Sequence, residues 1–300
     1  MNLKIDPDSI TVSGLSSGAY MASQLHISHS ATIKGAALFA GGPFACAKKG
    51  LAEATTHCMQ NAQGGPDIER SFQLINALSD SGEIDDIKHL KQSKLLLVSG
   101  AKDKTVNSRV IDAAEQLYLS FVDSQKISRA RIPNLGHGFP TLNFGNRCDV
   151  EASPYLSACN YDGAGAILNY LYADLKERTA KVFEPKILTQ HIPGYSEMLD
   201  SPFLYIPQQC RNGALCKLHI ALHGCQQNRE FIGDTFVKHA GYNQWAEAND
   251  IVIVYPQTLK AANNPMGCWD WWGFSSSAFY SKQAPQIQAL VGLISFLIRA

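Results

Sequence analysis

Residues 10–18 read Ile10-Thr11-Val12-Ser13-Gly14-Leu15-Ser16-Ser17-Gly18, a short apolar run followed at once by G-x-S-x-G. Behind a strand and ahead of a helix, that pattern makes a sharp turn that lifts a serine hydroxyl clear of a sheet. Side chains at either flanking position would clash in such a turn, which accounts for both glycines. The turn leaves the Ser17 amide at a helix N-terminus, where developing negative charge is stabilised. The helix is expected over Ser17–His29, with Tyr20, Met21 and Leu25 at helical spacing. G-x-S-x-G alone is frequent by chance and can be a plain Gly/Ser turn. Here the strand, the helix and two suitable partners downstream make Ser16 the candidate nucleophile.

A serine of this kind needs a base, and the base needs an orienting acid. Leu95-Leu96-Leu97-Val98-Ser99 reads as a buried strand, and Asp103 lies just beyond its C-terminal end. Open parallel sheets place function at that edge. The competing role for Asp103 is to cap a helix beginning near Val106. The next strand, Ser128–Ile132, runs into Leu135-Gly136-His137-Gly138-Phe139. Flanking glycines let the backbone bend so that an imidazole can reach two partners. Of nine histidines, His137 has the context of a base; His26 and His29 fall on the helix behind Ser16.

Strands are expected at Ile10–Ser13, Lys34–Phe39, Lys94–Ser99, Ser128–Ile132, Val182–His191, Phe203–Ile206, Leu218–Leu222 and Ile251–Tyr255. Helices are expected at Ser17–His29, Ile68–Leu78, Val106–Val122, Ala164–Leu175, Tyr242–Ala248 and Pro285–Ile298. The alternation indicates an α/β fold with a mostly parallel sheet flanked by helices. No low-complexity linker, charge block or repeat interrupts the chain, so residues 1–300 are expected to form a single domain.

The order of the parts is unusual. An oxyanion loop with His-Gly after a strand ordinarily precedes the nucleophile. Here Leu218-His219-Ile220-Ala221-Leu222-His223-Gly224-Cys225 follows Ser16 by roughly 200 residues. The C-terminal helix, read back into Met1, leads naturally into the Ile10 strand. The chain therefore reads as a circularly permuted α/β-hydrolase, with termini in a surface loop where cuts are tolerated.

Composition narrows the partners. Basic and acidic residues balance at 26 each, and no basic run appears. Nucleic acid and anionic membrane surfaces are poor partners for such a chain. No apolar stretch reaches membrane-spanning length, and a monomer is expected. Eight cysteines fall into local pairs, Cys46/Cys58, Cys148/Cys159 and Cys210/Cys216, with Cys225 and Cys268 left over. Their connectivity does not follow from sequence alone. Zinc competes with disulfides, but there is no C-x-x-C or clustered Cys/His pair, which favours four disulfides and an oxidising compartment.

Five segments together carry a resemblance that the serine motif alone does not. Gly14-Leu15-Ser16-Ser17-Gly18-Ala19-Tyr20-Met21, Phe39-Ala40-Gly41-Gly42-Pro43, Cys159-Asn160-Tyr161-Asp162-Gly163-Ala164-Gly165-Ala166, Leu222-His223-Gly224-Cys225 and Gly267-Cys268-Trp269-Asp270-Trp271 resemble the fungal-type extracellular poly(3-hydroxybutyrate) depolymerases. The likeness runs from Ile10 to the last helix and includes every cysteine. It implies a single-domain, circularly permuted α/β-hydrolase without a separate polymer-binding domain. By resemblance, Ser16, Asp103 and His137 form the catalytic triad, and the amides of Ser17 and Cys225 form the oxyanion hole. The implied disulfides are Cys46–Cys58, Cys148–Cys159, Cys210–Cys216 and Cys225–Cys268. The chain departs from the family pattern after Trp271, at Trp272–Ser276. The family also begins with a secretory leader. The sequence here opens Met1-Asn2-Leu3-Lys4 without an apolar core, so the leader is taken as removed and the location as secreted or periplasmic.

The resemblance implies a serine esterase that hydrolyses poly(3-hydroxybutyrate) or its oligomers through an acyl-enzyme. Neither a metal nor an organic cofactor is expected. Trp269, Trp271 and Trp272 crowd beside Cys268 and can line an apolar crevice for the polyester or pack the core around a disulfide. Trp269, Trp271 and Tyr20 are the expected substrate contacts, with Phe139 a further neighbour of the site. A small-ester or feruloyl-type esterase is the alternative within the class. A non-catalytic binding protein on a hydrolase scaffold is the alternative outside it.

Overall fold

Alternating burial builds the central sheet. In the strand Lys94–Gly100, Leu95 and Leu97 face one apolar cluster while Leu96 and Val98 face another. Val252 and Val254 alternate in the same way with Ile251, Ile253 and Tyr255. A strand buried on both faces reads as a continuous apolar run because helices cover both sides. The computed structural model describes residues 3–195 and 199–299. Among them, no helix is long and apolar enough to cross a membrane.

The strands of this sheet are β1 (Lys4–Ile5), β2 (Thr11–Leu15), β3 (Gly35–Phe39), β4 (Lys94–Gly100), β5 (Ile127–Ile132), β6 (Lys186–Ile187), β7 (Asp200–Tyr205), β8 (Leu215–Leu222) and β9 (Ile251–Gln257). Their spatial order is β5-β4-β3-β2-β8-β9-β7-β6, with β1 against the start of β8. β7 alone runs opposite to the rest of the sheet, antiparallel to both β9 and β6. Helices Ser17–Ser28 and Pro285–Arg299 contribute Met21, Leu25, Leu290 and Leu293 to one face. Helices Gly163–Tyr172 and Tyr242–Asn249 contribute Ile167, Leu171 and Ala246 to the other.

Numbered from β6 onward and continued through β9 into β2, the strands lie in the order 1-2-4-3-5-6-7-8. The permutation is therefore visible as topology: β2 and β8 are parallel neighbours, with Thr11 opposite His219 and Gly14 opposite Leu222. Met1 and Ala300, which the permuted reading joins, lie outside the described residues. The last helix does pack on β1. A buried polar clamp reinforces the β2–β8 register. His219 bonds Thr11 Oγ1 at 2.7 Å through Nδ1 and Ser13 Oγ at 2.8 Å through Nε2. Ser13 Oγ bonds the Tyr242 hydroxyl in turn.

Two expectations change. The Val182–His191 strand shrinks to Lys186–Ile187. It is an edge strand with Pro185 before it, a residue with no amide to give. Helix Leu51–Gln60, unforeseen, buries only Ala54 and Cys58. That stripe is too thin to register as periodicity, and the Cys46–Cys58 disulfide anchors the helix instead. The other disulfides are Cys148–Cys159, Cys210–Cys216 and Cys225–Cys268. A small second sheet of Phe139–Thr141, Asn146–Arg147 and Leu156–Ala158 sits on the chain between β5 and β6.

Candidate active site

Ser16 occupies the turn between β2 and the helix Ser17–Ser28, with φ 55° and ψ −121°. A non-glycine residue held there costs on the order of 1–3 kcal/mol. The surroundings enforce it. The Ser16 amide bonds Phe39 O at 2.8 Å. A Cβ at Gly14 would overlap the Gly18 carbonyl, and one at Gly18 would overlap the His223 carbonyl. Both glycines are close-approach positions, and the second lets the loop after β8 lie against the helix start.

The imidazole and carboxylate arrive from the loops after β5 and β4. His137 Nε2 stands 3.0 Å from Ser16 Oγ, and His137 Nδ1 stands 2.9 Å from Asp103 Oδ2. The Asp103 and His137 side chains are 1% and 8% exposed, so this line is largely shielded from water. Asp103 faces the imidazole and also holds the turn behind it, but it does not cap the helix expected near Val106. Its Oδ1 accepts from the amides of Thr105 and Val106 at 2.9 and 2.7 Å, while Oδ2 faces the imidazole. The helix itself starts later, at Ser108, under an Asn107 cap. The glycines beside His137 act by a different cause from the one expected. Neither has a positive φ. A Cβ at Gly136 would sit 2.9 Å from Asp149 O, and one at Gly138 would strike Ser157 Oγ. They admit a neighbouring loop rather than supply a bend.

The third component leaves β8. Gly224 donates its amide to Gln227 Oε1 at 2.7 Å, and its carbonyl accepts from His223 Nδ1 at 2.7 Å. A carbonyl only accepts, so Nδ1 carries the hydrogen and Nε2 is free to accept from Thr258 N at 3.3 Å. Burial first of all lowers the His223 pKa to about 4, which keeps the ring neutral in this tautomer. Across a trans peptide, N–H points opposite to C=O. Anchoring the Gly224 carbonyl to His223 therefore turns the Cys225 amide the other way. Among the described residues, no acceptor is bonded to that amide. The Ser17 amide is the first of its helix and has no intrahelical acceptor.

Two hollows meet here. One, of about 160 Å³, is lined by Ser16, His137, Tyr155, Gly224, Cys225 and Gln227 among others. A second, of about 260 Å³ and mostly apolar, is lined by Leu51, Met59, Pro265, Met266, Trp271 and Trp272 among others. Met59 and Cys225 line both. Trp271 thus stands in the groove. Trp269 and Tyr20 do not, and this corrects the expectation that they touch substrate. Trp269 is fully buried and donates Nε1–H to His223 O at 3.0 Å, so it backs the His223–Cys225 loop. Tyr20 is buried beneath Trp271, stacked at 4.0 Å between ring centres, and its hydroxyl donates to Cys58 O. Burial, then the Asp103 carboxylate, raises the Tyr20 pKa and holds its phenol un-ionised. Phe139 is likewise buried, among Phe39, Phe236 and Tyr242. Gln227 and Tyr155 are the residues that sequence reasoning missed; neither belongs to a motif.

A mostly parallel sheet with a serine at its strand-to-helix elbow, and an imidazole and a carboxylate in line behind it, defines the α/β class of serine hydrolases. No protein-family model matches the chain. A poly(3-hydroxybutyrate) depolymerase of Delftia acidovorans is 40% identical over 97% of the chain, which spans 60% of that enzyme's length. A polyhydroxybutyrate depolymerase of Talaromyces funiculosus is 36% identical over 98% of the chain and 91% of its own length. The solved structure of the depolymerase from Penicillium funiculosum superposes with a TM-score of 0.91 at 33% identity, covering 99% of this chain and 98% of that one. A second structure, of a serine-to-alanine depolymerase variant complexed with an R3HB trimer, matches equally well. The chain belongs to the poly(3-hydroxybutyrate) depolymerase family.

Proposed function

We propose that this chain is a secreted or periplasmic serine esterase that hydrolyses poly(3-hydroxybutyrate) or its oligomers, acting as a monomer with residues 1–300 as one catalytic domain. The observation that carries the reading is the Ser16–His137–Asp103 hydrogen-bond line, opening on a pocket that shares Met59 and Cys225 with an adjoining apolar groove. His137 takes the Ser16 proton as the oxygen attacks the ester carbonyl. Asp103 holds the imidazole tautomer and stabilises its positive charge. The amides of Ser17 and Cys225 receive the oxyanion; losing one such donor costs about 10²–10³-fold in rate. His137 then gives its proton to the departing alkoxide, and water cleaves the acyl-enzyme by the same steps in reverse.

The groove supports a polyester rather than a charged substrate. Its lining side chains are apolar except for Thr55, Asn263 and Asn264, and none of them is ionisable. The four disulfides support an oxidising compartment. The likeness to depolymerases, one of them solved with an R3HB trimer, supports the monomer chemistry. The test is clearing of a poly(3-hydroxybutyrate) suspension beside turnover of p-nitrophenyl butyrate. Both activities, lost together in Ser16→Ala, are expected. Ester turnover without clearing would leave an esterase of small substrates. No turnover of either would leave a binding protein.

A further inference from the structure

The acid, the base and the oxyanion amide sit on loops after three different strands, β4, β5 and β8. The sheet fixes where those strands end, not where the loops beyond them go. All three loops are nevertheless tied to one segment, the loop closed by the Cys148–Cys159 disulfide. Toward the acid, Glu151 Oε1 accepts from Lys104 N at 2.7 Å and Oε2 accepts from Thr105 Oγ1 at 2.9 Å. These residues follow Asp103 directly, and the Thr105 amide is one of the two that hold Asp103 Oδ1. Toward the base, Gly136 N donates to Cys148 O at 3.0 Å and Phe139 N to Tyr155 O at 2.8 Å, bracketing His137 on both sides. Toward the oxyanion loop, Gln227 Nε2 donates to Pro154 O and Tyr155 O at 2.9 and 3.1 Å, while its Oε1 holds Gly224 N.

We propose that the Cys148–Cys159 loop is the template that sets Asp103, His137 and the Cys225 amide relative to one another, with Glu151 and Gln227 as its two positioning residues. The inference rests on the hydrolytic reading of the site. The geometry gives each residue a division of labour. Glu151 directs both oxygens to the acid loop and lines neither hollow at the site. Gln227 lines the pocket, yet both ends of its amide are engaged in joining two loops. Removing either link lets one reactive group drift against the other two. Displacement of that size lowers the rate of the chemical step while leaving substrate binding nearly intact.

Two isosteric variants test this. Glu151→Gln keeps the shape but replaces one acceptor by a donor. Gln227→Glu keeps an acceptor for Gly224 N but turns an oxygen toward two carbonyls. A third variant, Cys148→Ser with Cys159→Ser, opens the loop. Its control is Cys210→Ser with Cys216→Ser, which opens another short loop away from the site. Rates are measured on p-nitrophenyl butyrate per active site titrated with a p-nitrophenyl phosphonate, so unfolded molecules are not counted. Expected is a fall in kcat of about 10–100-fold in the three test variants with KM within about twofold. The control should keep the wild-type kcat. Test variants with wild-type titrated kcat, or a control that loses as much as they do, would overturn the proposal. A wild type that turns over no ester would remove the hydrolytic reading, and this inference with it.

Discussion

Two hollows in the molecule are alike in being lined by side chains and differ in everything else. One, of about 440 Å³, lies at the β6–β7 edge of the sheet among Leu3, Lys186, Leu188, Leu204, Ile206 and Arg211. Its one guanidinium is already engaged, bonding Ile206 O and lying over the Phe183 ring. The other, of about 160 Å³, lies where β2 and β8 end and is lined by Ser16, His137 and the Gly224–Gln227 loop. Size therefore does not select the hollow that holds the candidate triad. A parallel sheet delivers the C-terminal ends of adjacent strands, and so their loops, to one edge. Its outer strands only leave grooves between side chains.

That contrast breaks first at Ser16. Ser16→Ala should lower kcat/KM on p-nitrophenyl butyrate by about 10⁴–10⁶-fold with Tm unchanged. Near-normal turnover, with Ser17→Ala inactive instead, would place the nucleophile one residue on.

Acid sharpens the comparison next. Burial lowers His219 and His26 to about 3, and His223 and His29 to about 4. Unfolded, each takes up a proton near pH 6.5. Between those values the unfolded chain binds more protons than the folded one, so stability falls as pH drops from about 6.5 toward 4. The loss by pH 4 should read as a marked fall in Tm. His219 and His223 stand on or just past β8, so the reactive end should lose amide-exchange protection before the β6–β7 edge does. A Tm that holds steady to pH 4 would mean that these rings reach water in the native state.

The apolar groove predicts a smaller effect. Trp272 lines it without being fully buried. Trp272→Ala should cost about tenfold in kcat/KM on a 3-hydroxybutyrate trimer and leave p-nitrophenyl acetate untouched. Equal losses on both esters would move Trp272 from the groove wall to the fold. Least of all should come from Ile187→Asp, which puts a charge in the larger hollow at an exposed edge position. Clearing of polymer suspensions should stay within about twofold of wild type, as for surface substitutions away from special features. A marked loss would show that polymer touches that edge.

The fold was largely legible because its signals are local. The elbow pattern, the apolar run ending before Asp103 and the strand ahead of His137 each mark a strand end. Strand ends are what a parallel sheet brings together. The late His223-Gly224-Cys225 segment even announced the permuted order. What stayed hidden depends on contacts between distant loops. Gln227 and Glu151 act mostly by bonding backbone groups, which any sequence supplies, so nothing in their surroundings flags them. Trp269 and Trp271 lie two residues apart beside one cysteine. Only the turn around Asp270, whose carboxylate accepts from Gly273, Phe274 and Ser275, sends one inward and the other to the groove. The glycines at 136 and 138 were legible as necessary but not as to why, since the loop they admit begins ten residues later.

The permuted strand order also governs when the site can exist. Thr11 and His219, paired across β2 and β8, are 208 residues apart in the chain. At about 5–20 residues per second, the nucleophile strand leaves the ribosome roughly 10–40 s before its partner. For that interval β2 has a bare edge on the side that later receives β8, and unpaired edges invite pairing with other chains. Pairings this long-range are slow to form. The nascent chain thus holds the Ser16 turn well before β8, and the Gly224–Cys225 segment that follows it, can pair beside it.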